Sequence, residues 1–422
     1  VQWPLLGIVC LLALPALPAE GARVIAAGRI PADAQDVEGE TIGGIGSAVE
    51  VVPGGVVMLS DRGPGDGTMD YRPRLQFFGL GRDGGKLNLS LERTLILQDS
   101  SGRAFTGLFP ELPPELPPQR SDGRMCLDPE GLAIGPKGNF FVSEEYLPSV
   151  REFDAQGRFV RRFEAPDEVV PRGASGVNVA TDEADALTSG RQPNRGFEGL
   201  AMLPDGQLAA VLQSGLTQDG GRKAGFTKLY LFDPARGRAT AAYRVDFPDA
   251  AEIDAASPAG KKLEAKHFVI SALAALPDGR LLALERENFG ADGSSKHGPA
   301  RWKAVVLLDL SGAGNMLEGG STPVRRTALF NLAALDTASS GLPREELPAK
   351  WEGLAVAGIE GDQVRLLLSS DNDFLTPRLH LRDESGAARE VEFPRAERAQ
   401  DTWILEVETT LPPVAPSTPR NT

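Results

Sequence analysis

A turn-centred phrase recurs five times along the chain, and that repetition limits the fold more than any other feature. Aligned on a Pro-x-Gly turn, the copies are GSAVEVVPGGVVMLSDRG (46–63), PEGLAIGPKGNFFVSEE (129–145), FEGLAMLPDGQLAAVLQS (197–214), ISALAALPDGRLLALERE (270–287) and WEGLAVAGIEGDQVRLLLSSDND (351–373). The last has a longer turn without the proline. Each copy runs from a short apolar strand through a turn into a stronger apolar strand, the signature of a β-hairpin. After the second copy, SVREFDAQG and RFVRRF read as two more strands, and residues 227–245 and 301–312 repeat that second half. The unit is therefore four antiparallel strands, and its recurrence along 422 residues predicts an all-β chain folded as a β-propeller. High usage of Gly (48) and Pro (33) fits many short strands and tight turns. The repeat interval of roughly 70–80 residues exceeds the roughly 40–50 of a minimal blade, which gives about six blades, with five or seven open.

The first strand of a propeller blade lines the central channel. Glu130, Glu198 and Glu352 open that strand in three copies, and Ser47 and Ser271 stand there in the other two. Three converging carboxylates need a cation among them. Calcium suits them, since it takes six to eight oxygen ligands in forgiving geometry. The competing neutralisers are Arg62, Arg195, Arg286 and Lys350, one near each relevant copy, which would form an ion-pair ring without metal. A second acidic set closes the hairpins: Asp61, Glu144, Glu145, Glu285, Glu287, Asp371 and Asp373. The expected reaction centre has Glu130, Glu198 and Glu352 as metal ligands, Asp61 or Asp371 as base, and Arg62, Arg195 and Arg286 on an anion or on developing charge.

Several alternatives are weakened by the sequence. A formal charge of −14, from 58 acidic and 44 basic residues, repels nucleic acid and anionic membranes. No P-loop lysine follows GGIGSA (43–48), and Ser47 lacks a nucleophile elbow. Only His267, His297 and His380 are available to a serine triad. The apolar run Leu5–Leu17 reads as the core of a secretory leader spanning 1–22, so the rest, 23–410, is expected outside the cytoplasm, secreted or periplasmic, with a disordered tail at 411–422. Without the leader Cys126 is the one cysteine, an inert packed thiol. No later segment is apolar enough to span a membrane, and a monomer is expected.

The ordered series SDRG, DPEGLA, SEE, NRGFEGLA, ALPDGRLLALERE, KWEGLA and SSDND, over roughly residues 40–405, resembles the phytase-like proteins with the esterase-like activity of phytase. That resemblance implies a secreted bacterial β-propeller hydrolysing an ester or phosphoester, with a small anionic or ester substrate. The calcium-binding propeller phytases hold phosphate through an Asp-Asp-rich motif that this chain lacks. The Glu-Gly opening is also similar to that of the gluconolactonase and paraoxonase propellers, where such a glutamate holds the axial metal. A propeller that binds a ligand or protein without catalysis is the alternative.

Overall fold

The computed structural model describes residues 21–111, 118–179, 187–256, 262–294, 298–383, 385–393, 395 and 397–414. Nearly all of the leader and most of the tail expected from the sequence lie outside these residues. No helix among them is long and apolar enough to cross a membrane.

The chain is all-β and its arrangement is propeller-like. The three large sheets divide into five four-stranded antiparallel units, beside which the described residues form one three-stranded and one two-stranded sheet. Unit 1 is Ala48–Val52, Gly55–Leu59, Arg74–Asp83 and Lys86–Ile96; unit 2 is Pro129–Ile134, Phe140–Glu144, Ser149–Phe153 and Phe159–Glu164. Unit 3 is Phe197–Met202, Leu208–Leu212, Phe226–Asp233 and Arg238–Asp246; unit 4 is Val269–Ala275, Leu281–Arg286, Lys303–Asp309 and Arg325–Asn331. Unit 5 takes Trp351–Glu360, Gln363–Ser370 and Thr402–Thr410, and completes itself with Arg23–Ile30 from the other end of the chain. The strand that closes the ring is thus the first of the described strands.

Successive strand residues point to opposite faces, so a strand buried between two units is apolar throughout. In unit 1, Val57 and Leu59 pack toward unit 2 while Val56 and Met58 pack toward unit 5. Five such clusters lie between units 1 and 2, 2 and 3, 3 and 4, 4 and 5, and 5 and 1, closing a ring. The long repeat intervals are filled by loops and by an accessory hairpin, Arg378–Arg382 with Ala388–Glu392, seated on Tyr71 and Phe374.

The Glu-Gly pair has two structural causes. In units 2, 3, 4 and 5 the register with the second strand slips at this position, at Pro129/Leu132, Phe197/Leu200, Ile270/Ala272 and Trp351/Gly353. Such a bulge bends the strand and re-aims a side chain, here toward the axis. The glycine permits close approach: a Cβ on Gly131 would lie 2.3 Å from the Glu198 carbonyl oxygen, and one on Gly199 2.5 Å from the Ala272 carbonyl carbon. Hydroxyls tie neighbouring units together, Ser143 donating to the Glu198 carbonyl at 2.6 Å and Ser271 to the Trp351 carbonyl at 2.8 Å. Below the bulges Val49, Leu132, Leu200, Leu273 and Leu354 fill the axis around a void of about 10 Å³. The channel is plugged, and only its upper mouth forms a cup.

Candidate functional site

The cup is a cavity of about 270 Å³. All eight residues singled out from the sequence line it: Asp61, Arg62, Glu130, Arg195, Glu198, Arg286, Glu352 and Asp371. Glu130, Glu198 and Glu352 reach it from the bulges of units 2, 3 and 5; Asp61 and Asp371 follow the second strands of units 1 and 5. Twelve of its sixteen lining residues are charged, and Pro193 is the one apolar member.

Two groups of three carboxylates each bring one oxygen per residue within 4.8 Å of the others: Asp61, Asp371 and Asp373, and Asp128, Glu130 and Glu145. In the first, Lys350 Nζ stands 2.5 Å from Asp373 Oδ1 and 3.9 Å from Asp371 Oδ2. Backbone N–H groups add support, Gly63 donating to Asp61 and Asp373 to Asp371. Burial nevertheless pushes Asp61 and Asp371 well above the usual carboxylate range, with Asp128 and Asp373 adding for Asp61, and Asp373 and Glu352 adding for Asp371. In the second group, Arg62 Nη1 lies 3.0 Å from Asp128 Oδ2, and Glu145 accepts from the Gly196 N–H at 2.8 Å. Glu145 is pushed up to about 7 by burial and by Asp128. Glu130 is driven well above its usual value by burial, then by Glu198, Asp128, Glu145 and Glu352.

Glu198 and Glu352 belong to neither group. Glu198 accepts a hydrogen bond from Gln213; Glu352 is bonded by Arg286, which also donates to Asn288. Burial alone would raise Glu352, yet Arg286 and Lys350 hold it below its usual value. The sequence-level neutralisers therefore divide: Arg286, Lys350 and Arg62 are committed to carboxylates. Arg195 is 8% exposed, and its Nη1 is buried without a hydrogen-bond partner. Burial, together with Arg222 and Arg286, pulls Arg195 down to about 10.

Asp66, Asn194, Asp373 and Phe374 are the non-glycine residues with positive φ among those described. Asp66 and Asn194 line the cavity, Asp373 belongs to its first acidic group, and Phe374 follows Asp373. Strained backbone concentrated at one cup marks it as a place where geometry is held for a purpose. The remaining hairpin-closing acids serve the scaffold instead: Glu144 faces Arg151, Glu285 bonds Arg326 and Trp302, and Glu287 pairs with Lys303. Cys126 is buried, with its thiol pushed up to about 12 by burial.

The family model for phytase-like proteins, described as esterase-like activity of phytase, matches residues 40–374. The chain belongs to the phytase-like family. That match spans all five hairpins and every carboxylate of the cup. A relative from Arthroderma benhamiae, described as an uncharacterized secreted protein, is 26% identical over 83% of this phytase-like chain and 86% of its own length. Among solved structures, a GH43 β-1,3-galactosidase aligns with 86% of this chain and 97% of its own at 10% identity and a TM-score of 0.40. The PQQ-bound aldose sugar dehydrogenase of Streptomyces coelicolor aligns with 93% and 100% at 12% identity and a TM-score of 0.35. Neither structural similarity is high enough to carry a substrate or a mechanism to the phytase-like cup.

Proposed function

We propose that this chain is an exported phosphoester hydrolase whose reaction centre is the axial cup of a five-bladed propeller spanning residues 23–410. The observation that carries the reading is the mixed lining of the cup. Crowded carboxylates share it with a buried guanidinium that has an unpartnered Nη1, that of Arg195. A phosphoester answers both kinds of group. A carboxylic ester offers Arg195 no anion, and the almost wholly polar lining gives an acyl chain no apolar wall.

The donor set fits a divalent cation, with calcium the best match: every candidate ligand is a hard oxygen, and like-charge crowding raises the carboxylates it would relieve. Asp128, Glu130 and Glu145 would hold it, with Glu198 beside them. Such a cation supplies charge that polarises a phosphoryl oxygen and lowers the pKa of water. Arg195 presents its planar fork to the phosphoryl oxygens and orients them. Asp61 or Asp371, both displaced upward, takes the proton from water as its oxygen bonds phosphorus and the ester P–O bond breaks, the leaving oxygen taking a proton from solvent, and Lys350 compensates the charge left on their group. Arg286 and Arg62 act through Glu352 and Asp128, which they hold in place.

Export is supported by the leader-like run Leu5–Leu17 and by the description of the fungal relative as secreted. The test is a screen of p-nitrophenyl phosphate against p-nitrophenyl acetate, with and without chelator, on the full chain and on Arg195→Gln. Phosphatase turnover lost in chelator and in the variant is the expected result. Acetate hydrolysis indifferent to both would overturn the reading, and saturable calcium binding without any hydrolysis would make this a ligand-binding propeller.

A further inference from the structure

A separate cavity of about 240 Å³ lies at the seam of units 4 and 5 and shares no lining residue with the axial cup. One wall is apolar, built from Trp403, Leu342, Pro343 and Pro348. Trp403 stands opposite Arg29 on the adjoining strand, half-buried and packed against the core cluster between the two units. Trp302 and Trp351 are fully buried, so among the described residues Trp403 is the indole with surface left to offer.

Main-chain bonds fix the frame. The Ala291 N–H donates to the Leu347 carbonyl at 2.9 Å, the Ala291 carbonyl accepts from the Ala349 N–H at 2.8 Å, and the Arg398 N–H donates to the Gly293 carbonyl at 3.0 Å. Three loops are thereby tied around the cavity, and a site formed in advance loses less binding energy to ordering.

The charges of the described lining cancel, Arg29 and Arg398 against Asp401 and Glu346, with Arg29 already paired to Asp401 at 3.1 Å. Such a lining selects neither an anion nor a cation. Hydrogen-bonding capacity nevertheless remains. Arg398 and Glu346 have no side-chain partner among the described residues. Gln400 Nε2 donates to the Ala291 carbonyl at 3.1 Å, which leaves Gln400 Oε1 buried without a hydrogen-bond partner, a costly state until a donor reaches it. A free donor and free acceptors beside an indole match a sugar ring, whose hydroxyls need both kinds of bond and whose C–H face needs an apolar wall.

We propose that this seam cavity binds a neutral saccharide, one ring against Trp403 with its hydroxyls on Glu346, Arg398 and Gln400, independently of the chemistry of the cup.

Saturation-transfer NMR on the full chain tests it, with the methyl glycosides of glucose, galactose, mannose and N-acetylglucosamine, and with cellobiose and maltose, as probes. Expected is saturable transfer to at least one probe, with affinity lowered at least about tenfold by Trp403→Ala and at least about threefold by Arg398→Gln, and unchanged by Arg195→Gln in the cup. Arg398 is exposed on a loop, so its variant keeps the test valid should Trp403→Ala loosen the seam. No saturable transfer to any probe, or transfer unchanged by Arg398→Gln in a protein that melts normally, would overturn the proposal. Binding lost in Arg195→Gln would put the sugar in the cup and overturn it as well.

Discussion

Glu50 breaks the repeat in a way that makes its cost measurable. Three residues beyond the Ser47/Glu130/Glu198/Ser271/Glu352 position, the other four copies carry Ala133, Ala201, Ala274 and Ala355, each buried, whereas the first carries Glu50. Burial pushes its carboxyl up to about 8. The unfolded chain ionises near 4.5 and the folded chain holds the proton until about 8, so folding stability falls as pH climbs through that window and is unaffected below it. At about 1.4 kcal/mol per unit the full penalty at pH 7 is roughly 3 kcal/mol; partial exposure of the residue reduces this to about 1–3 kcal/mol. Glu50→Ala should therefore stabilise the protein by about that amount at pH 7 and by little at pH 4. Urea unfolding followed by the fluorescence of the buried Trp302 and Trp351 at both pH values gives the comparison. A stability difference that does not change with pH would refute the reasoning, because it would show that Glu50 ionises alike in both states.

Removing Arg286 strands the buried Glu352: Arg286→Met should cost about 3–5 kcal/mol, and Arg286→Met with Glu352→Gln should recover a large part, as a double-mutant cycle in urea will measure. Gly199→Ala forces a Cβ against the Ala272 backbone and should destabilise by about 2 kcal/mol or more in the same assay, unlike Gly206→Ala at an open turn, where the cost is strain alone. Calcium affinity should rise from pH 6 to pH 8, since Glu145, pushed up to about 7, must lose its proton to become a ligand; titration at three pH values checks the sign.

Much of this was readable in the sequence because hairpins are local. The Pro-x-Gly turn and its flanking apolar runs identify the first two strands of every unit, and the alignment that follows brings Glu130, Glu198 and Glu352 to one end of one axis. Three things were not readable. Arg23–Ile30 pairs with Thr402–Thr410 across almost the whole chain, and nothing in either segment names the other. Asp128 stands just before the aligned phrase, so a comparison anchored on the turn passes over it, although it joins Glu130 and Glu145 in the second acidic group. Which arginine remains uncommitted depends on side-chain geometry: Arg62, Arg195 and Arg286 look alike in one dimension, and only packing separates the two that neutralise from the one left facing the cup. Sequence pattern located the ring of acids; the division of labour among its cations is tertiary.

The claim on which the account rests is that the carboxylates gathered at the cup hold a divalent cation that Arg62, Arg286 and Lys350 do not replace. Calorimetric titration of calcium into chelator-stripped protein, beside Glu130→Gln, tests it most directly. The account predicts saturable binding that the substitution weakens at least tenfold. Absence of saturable binding at millimolar calcium, in a protein that folds and melts normally, would mean that the built-in cations suffice and that the acids are scaffold.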